Sequence, residues 1–553
     1  MIPNRADLLA NDLIWLLSIE YAGRLWRWSS EPITLTDASG DVQQFDGGLE
    51  GLDIEQVLPS FGESPDMLSA SLDLMWPSDV ALLVSQGHDL SAATGELALF
   101  VRGTSFDDRY VLIDGNISQP QYGDANEPVS LTLEEHPFDD GALIPAATAI
   151  ISEDAGNDGW DNDGDQYPLP FGGVGEYTTA LGGTKNLRQS PAILADATAA
   201  TEVVLLIVAG HHVPTTTNTV TISTTVDDVW HSGTATLTRT IDGLGQQITQ
   251  ATLTTAHDAV HADFRHQSKY WVRWTHGSSL PDDVSGTAIT GAGSLITWML
   301  RRSSLRFDHE SWGSATTALN EYQVHGYINE QVTPWQWVEE NLLPLLPVTI
   351  HASSAGLYPV IWRHDATTAD AVERITAGAG ILRVGAVEYD KLPTDTTQHM
   401  QLDWAYDDGD GEHRRTTIIR PADNSARLKN EMHSVHTQTS ASRYANTNSL
   451  TVSSDVVYDA ATATRVMSWW ALAKGFTHRL IKYEMPQHFA WLRIGDVVTI
   501  TDAGIHLTDE VALVRSVSRT DRGRLLVGLQ LVEDVARGGY STGVPTDLTD
   551  DGT

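Results

Sequence analysis

The stretch Phe489-Ala-Trp-Leu-Arg-Ile-Gly-Asp-Val-Val-Thr-Ile-Thr-Asp502 opens a run to Asp534 that reads as strand, turn and hairpin. An apolar approach leads to a Gly495-Asp496 turn, and the β-branched residues from Val497 to Thr501 then favour an extended chain. Val511, Leu513, Arg515 and Val517 alternate with Ala512, Val514 and Ser516, Thr520 to Gly523 supplies a turn, and Leu525, Val527, Leu529 and Leu531 alternate again. Period-2 alternation predicts a hairpin with one buried face, and it places Trp491 and Leu492 against that hairpin.

β patterning also marks the first part of the chain. Ile14 to Ile19, Leu25 to Trp28, Leu68 to Leu74, Leu97 to Val101, Tyr110 to Ile113 and Val129 to Leu133 are short apolar segments at regular intervals, the pattern of a barrel or sandwich. Ser78 to Gln86 interrupts them as a helix, with Ser78 as N-cap and Gly87 past its end. Beyond an Asp-, Asn- and Gly-rich stretch from Ile151 to Gly183, Val220 to Val226, Ala235 to Ile241 and Tyr270 to Trp274 alternate as strands of a second β region, with Asp242-Gly243 as a turn. From Thr333 the pattern becomes α/β: Thr333-Pro334-Trp335-Gln336 reads as a capping box, Thr349 to Ile350 and Tyr358 to Trp362 as strands, and Thr367 to Thr376 as a helix. Asp459 caps a further helix with Val466, Trp469, Trp470 and Ala473 on one face.

Two of these stretches resemble the tail-tip (baseplate) hub proteins of tailed bacteriophages, of siphophage type. Leu492 to Ile500 is similar to the "Leu-x-x-Gly-Asp-Val-Val" strand of their C-terminal β-domain. Tyr110 to Pro128 resembles a strand and turn in the same family, Val111-Leu112-Ile113-Asp114-Gly115 leading through Pro120-Gln121-Tyr122-Gly123 to Glu127-Pro128-Val129. The resemblance implies a homotrimeric ring below the tail tube, located in the virion at the tail tip after synthesis in the host cytoplasm. Its partners would be the distal tail protein, the tail tube protein, the tape-measure protein and a tail fibre or spike. Such a ring gates the channel during genome ejection, and DNA passes through it without specific binding. The family's hubs carry no active site, so no enzyme activity, catalytic residue, metal or cofactor is expected. Two rivals stand beside this reading: the hexameric distal tail protein, and an extracellular carbohydrate-binding protein or glycoside hydrolase.

Length and charge bound these readings. A chain of 553 residues is too long for one core and, with 41% hydrophobic residues and 17 tryptophans, supplies several. The expected fold is mainly β with α/β portions. Its domains are a tube-like β-barrel at 1–145, a β-rich unit at 146–330, an α/β unit at 331–455, a helix plus C-terminal β segment at 456–537 and a mobile tail at 538–553. The formal net charge of -39, from 34 Lys+Arg against 73 Asp+Glu, argues against a surface that grips nucleic-acid phosphates. It suits solubility, and it also suits an acidic channel wall that keeps DNA sliding. With no cysteine, disulfides, thiolate zinc sites and cysteine nucleophiles are excluded. The apolar runs Leu13 to Ile19 and Val203 to Ala209 are too short to span a membrane, so neither a secretion signal nor a membrane-spanning segment is expected, and the second reads as a buried strand.

Few constellations suggest chemistry. Asp161-Asn162-Asp163-Gly164-Asp165 spaces carboxylates as calcium loops do, but Gly172 stands where an EF-hand has its closing glutamate, so a plain acidic linker competes with a cation site. Asp407-Asp408-Gly409-Asp410-Gly411-Glu412 reads as a solvated hairpin turn. His257 and His261 have zinc-protease spacing without the intervening glutamate, and His211-His212 read as loop. Gly378-Ala379-Gly380 reads as a helix C-cap rather than a phosphate loop. The pairs Trp26 and Trp28, Trp335 and Trp337, and Trp469 and Trp470 read as core and interface rather than as sugar platforms.

Overall fold

The structure, a computed structural model, describes residues 12–532 except 59–67, 76–77, 123–127, 136–141, 145–165, 173–175, 179–183, 187–189, 199–202, 216–217, 227–228, 243–244, 254–269, 275–279, 284–285, 354–355, 364–365, 379, 409–410, 421–430, 434–443, 445–447 and 521–523. The first part of the chain forms β1 (Leu13–Tyr21), β2 (Arg24–Ser29), β3 (Ile33–Thr36), β4 (Val42–Gly47), β5 (Leu49–Val57), β6 (Ser69–Leu74), β7 (Thr94–Val101), β8 (Tyr110–Gln121) and β9 (Val129–Glu135). Three short strands follow, β10 (Leu169–Phe171), β11 (Glu176–Thr178) and β12 (Thr184–Asn186). Next come β13 (Ser190–Thr198), β14 (Val203–Ala209), β15 (Thr219–Val226), β16 (Val229–Ile241), β17 (Gln247–Leu253) and β18 (Tyr270–Arg273). Helices Ala292–Leu300, His309–Leu319 and Pro334–Asn341 accompany β19 (Gly326–Ile328), β20 (Val348–His351), β21 (Tyr358–Ile361), β22 (Glu373–Thr376) and β23 (Leu382–Tyr389). The last part holds β24 (His399–Asp407), β25 (Glu412–Arg420), β26 (Glu431–His433), β27 (Ser449–Ser453), helix Ala460–Ala473, β28 (Arg479–Pro486), β29 (Val497–Asp502), β30 (Leu507–Thr520) and β31 (Arg524–Leu531).

The architecture is mainly β, as the alternating segments predict. One 15-stranded sheet runs β23-β28-β31-β30-β5-β6-β9-β8-β7-β1-β2-β4-β3, with β22 and β29 joined at its flank through β30. Its two halves come from opposite ends of the chain. They meet where β5 pairs antiparallel with β30, in register from Val57 opposite Ser516 to Asp53 opposite Thr520. Strands β13 to β18 close a separate barrel in the order β13-β14-β17-β16-β15-β18, and Leu206, Val208 and Ala209 of the apolar run are buried inside it. A four-stranded sheet, β26-β25-β24-β27, backs the helix Ala460–Ala473.

The C-terminal run forms the hairpin expected of it, but more than one of its faces is covered. Val511, Ala512, Leu513 and Val514 are all buried, because β30 lies inside the sheet rather than at an edge and layers pack on both sides of it. Trp491 is half-buried and Leu492 fully buried, in the same cluster as Leu525, Val527 and Leu529. The paired tryptophans are core. Trp26 and Trp28 join one cluster, and Trp335, Trp337, Trp469 and Trp470 another. The Trp469 and Trp470 indoles donate to the carbonyls of Leu345 (3.0 Å) and Pro344 (3.1 Å), which satisfies their polar edges without water.

Several local expectations change. Thr367 to Thr376 is not a helix: Asp370 accepts from the Thr367 N–H and hydroxyl, both at 2.8 Å, closing a turn, and Glu373–Thr376 then pairs in parallel with β29. Tertiary pairing here overrides a weak helical signal. Gly378 and Gly380 therefore cap no helix; Gly378 bridges Ile381 in a tight turn after β22. The Thr333 side chain makes no bond to the first-turn backbone and donates instead to Gln336 Oε1 (3.3 Å), so the capping box is not closed although the helix starts there, with Pro334 in its first turn. Ser78 is the first residue of its helix, one place later than a cap. Strand β8 runs on through Pro120 to Gln121, where the register against β9 shifts between Ser118 and Gln121; a proline, having no N–H, is tolerated at such an irregularity.

Leu492 is 1% exposed, so a carboxylate placed there has no route to water and no partner in its apolar cluster. Leu492→Asp should abolish the soluble fold or cut its melting temperature sharply, while Leu492→Met should stay within about 1.5 kcal/mol of the parent. Equal melting temperatures for the two variants would show that the cluster does not hold the C-terminal unit.

Candidate functional site

The Gly495-Asp496 turn fixes how the C-terminal unit meets the rest. Gly495 has φ +89°, and a Cβ there would lie 2.5 Å from Val360 Cγ1, so only glycine fits. Its N–H donates to Val514 O (2.8 Å), and Val514 N–H donates back to Asp496 O (2.9 Å), which locks the turn to β30. The Arg493 N–H donates to Asp496 Oδ2 (2.8 Å), shaping the segment just before the turn. Trp491 to Ile494 is thereby held opposite Tyr110, Val111 and Leu112 of β8, and a cavity of about 540 Å³ lies between them.

The third wall is the start of helix His309–Leu319. Leu357 N–H donates to Arg306 O (2.9 Å) and Asp308 N–H to Leu357 O (3.0 Å), so the approach to the helix is strapped alongside Leu357. Gly356, at φ +105°, permits this: a Cβ there would sit 2.3 Å from the Arg306 carbonyl carbon. Asp308 caps the helix, accepting from the Glu310 N–H (3.1 Å) and from Ser311 Oγ (2.5 Å). Burial would raise its carboxyl, but these hydrogen bonds and the Arg493 charge hold it below the usual value.

Arg519 of β30 forms the floor. It is 4% exposed, in a protein of net charge -39. Its Nη1 donates to Gln56 Oε1 (2.7 Å) and its Nη2 to Ala490 O (3.3 Å), whereas Nε has no hydrogen-bond partner among the described residues. Burial lowers its pKa, and the phenols of Tyr110 and Tyr358 oppose that shift. Both phenols are themselves pushed up by burial, with Arg493 pulling each back. Asp496 is likewise raised by burial, against the Arg493 N–H and charge.

Glu135, at the end of β9, is a second unusual group beside the joint of β8 with the segment leading to the helix. Burial pushes it up to about 7; Arg306, which pairs with Asp114 at 3.4 Å, lowers it, and Asp114 raises it. A carboxyl whose folded pKa lies above its unfolded value contributes stability that is full below about 4.5 and is lost as pH rises through about 7.

A second cavity, of about 640 Å³, combines Tyr327, Trp337, Tyr406 and Tyr458 with the carboxylates Glu330, Glu340 and Asp455. Beside it Asp407 ends β24 and Glu412 opens β25, paired with each other as in a hairpin, but Asp407 is buried rather than solvated, and residues 409 and 410 lie outside the described residues. Asp408 in that turn accepts from Trp271 Nε1 (2.9 Å) of the barrel and from the Tyr327 hydroxyl, so it ties the hairpin to its neighbours. His211 and His212 lie in the loop after β14, where His212 Nε2 contacts Thr240 O (2.8 Å). The Asp161 to Asp165 segment, His257 and His261 lie outside the described residues. Among the described residues no group of three or more His, Asp or Glu is placed to hold a metal ion, and no helix is long and apolar enough to cross a membrane.

The sequence reading missed Arg519 and Glu135, and it took Asp408 for part of a solvated turn where the side chain in fact accepts from Trp271 and Tyr327. A signal for the first existed: Arg519 continues the Leu513, Arg515, Val517 face of its strand, so a charge stands in register with buried apolar residues.

No family model and no curated protein matches this chain. Among solved structures it is similar to a tail protein from Neisseria meningitidis MC58, at 10% identity and TM-score 0.37, covering 95% of this chain and 98% of the other. It is also similar to the 43 kDa tail protein of prophage MuSo2 from Shewanella oneidensis, at 10% identity and TM-score 0.39, covering 94% and 99%. A prophage tail protein from Listeria monocytogenes EGD-e matches at 6% identity and TM-score 0.29, covering 93% and 96%. Identities and TM-scores this low leave the function of the chain to its own residues.

Glu135→Gln should flatten part of the pH dependence of stability. The melting temperature of the parent should fall relative to the variant as pH rises from 4.5 to about 7. Buried His351 and His478, driven down to about 4 and about 3, act alike in both proteins and cancel in the difference. Parallel curves would show that Glu135 titrates normally.

Proposed function

We propose that the chain is a structural component of a phage tail, and within the tail the tip hub: a homotrimeric ring joining the tail tube and distal tail ring to a central fibre or spike. The observation that carries this reading is the meeting of the two hub-like stretches. Tyr110 to Leu112 and Trp491 to Ile494 are some 380 residues apart in sequence, yet they face one cavity, beside the pairing of β5 with β30. Two motifs that share a family resemblance and also share a joint are better explained by a common design than by chance. The acidic balance suits a channel wall past which DNA slides, since like charge disfavours adhesion of a polyanion. In this reading residues 1–145 contribute the tube-like part, and the ring contacts the tape-measure protein and gates genome ejection without any catalytic residue.

One observation favours a reading of another class. Tyr and Trp side chains beside Glu and Asp, as in the 640 Å³ cavity, are the surfaces that stack on sugar rings and bond their hydroxyls.

Electron microscopy of the purified protein, or of particles that carry it, gives the rotational symmetry. Three-fold rings are expected; six-fold rings would replace the hub with the distal tail protein. A monomer that binds oligosaccharides, with binding lost in Tyr406→Ala, would replace the tail reading altogether.

A further inference from the structure

The floor of the cavity between β8 and the Trp491 to Ile494 segment holds a charge that the described residues do not balance. No carboxylate among them lies within ion-pair distance of the Arg519 guanidinium, and its two protein acceptors, Gln56 Oε1 and Ala490 O, are both neutral. Withdrawing a guanidinium from water without a counter-charge is costly, and such groups are retained where an anion meets them. Arg519 has five N–H donors, of which Gln56 and Ala490 take two. The surrounding groups are donors as well: Arg493, and the hydroxyls of Tyr110, Tyr358 and Ser314 around the wall. A volume of about 540 Å³ falls in the range of ligand pockets.

We infer that this cavity is a binding site for a carboxylate group seated on Arg519. The charge of the walls sets the class of anion. Asp308 and Glu310 also line the cavity, and Asp308 is held in its charged form, so the field there offsets one negative charge and opposes a second. A carboxylate monoanion fits that balance better than a phosphate dianion, and its planar pair of oxygens suits a guanidinium fork. The carboxylate of a protein side chain and that of a free acid would meet the same donors, and the probes of the test tell the two apart. This inference does not depend on the tail reading, since the unbalanced guanidinium calls for an anion in a protein of any function.

The test is a thermal-shift titration of the full chain at constant ionic strength with three probes: N-acetylglutamate amide, glutarate and inorganic phosphate. The expected result is a saturable rise in melting temperature with N-acetylglutamate amide, at least as tight as with glutarate and absent with phosphate. Arg519→Gln should abolish it. Should that variant fail to fold, the double variant Arg493→Gln with Tyr110→Phe leaves the floor intact and should weaken the probe by roughly tenfold, as loss of charge-assisted hydrogen bonds does. Glutarate binding much more tightly than the amide would assign the carboxylate to a free dicarboxylic acid rather than to a protein side chain. No saturable shift, an equal shift with phosphate, or a shift unchanged in the variants would overturn the site.

Discussion

Five residue pairs between β5 and β30 hold this architecture together. They join Asp53–Val57 to Ser516–Thr520, and everything on either side of the long sheet takes its position from that seam. The seam is more than backbone. Arg519 reaches across it to Gln56, and the Leu58 N–H just past β5 donates to Arg515 O (2.7 Å). Closing a flexible loop of some 460 residues would cost roughly 5 kcal/mol of chain entropy, so the seam forms on the strength of the cores that flank it. Those cores are large on both sides, with Ile54, Leu72 and Leu133 in one and Val514, Val517 and Val527 in the other.

The cavity beside the seam follows from the same geometry. Strand β8, the Gly495 turn and the Asp308 cap are each fixed by their own hydrogen bonds, so the space between them cannot collapse without breaking one. Donors are concentrated there because the elements meet by their ends. Strand starts, turns and helix N-termini expose N–H groups and short polar side chains, whereas the strand interiors spend theirs on ladders. A buried guanidinium, Arg519, thus comes to lie at this joint.

Much of this was legible because it is local. Short apolar segments at regular intervals marked β1, β2, β6, β7, β8 and β9, period-2 alternation marked the terminal hairpin, and the apolar run at Val203 to Ala209 marked a buried strand. Helix Ala292–Leu300 escaped notice because it is apolar on nearly every side, with seven of its nine residues buried, and so shows no stripe. Helix His309–Leu319 escaped because Gly313, Thr316 and Thr317 weaken its propensity; packing and the Asp308 cap hold it. Glu373–Thr376 was misread because a strand of four residues is defined by its partner, here β29. The seam itself has no local trace. Nothing in Leu49–Val57 names a partner beyond residue 500, and the cavity, being made by that pairing, was invisible with it.

The seam also has a history within each molecule. During synthesis the edge of β5 leaves the ribosome long before its mate, and at cellular elongation rates the 463 residues from Gln56 to Arg519 take roughly 25 to 90 s to appear. For that interval β5 offers unpaired N–H and C=O groups to any strand that passes, including the β5 of a sister chain on the same message. Its residues temper the hazard: Glu50, Asp53 and Glu55 put three carboxylates along nine positions, and like charges repel when two such edges approach. The acidity of this strand thus does its work during synthesis, by keeping the edge vacant for a segment that arrives much later.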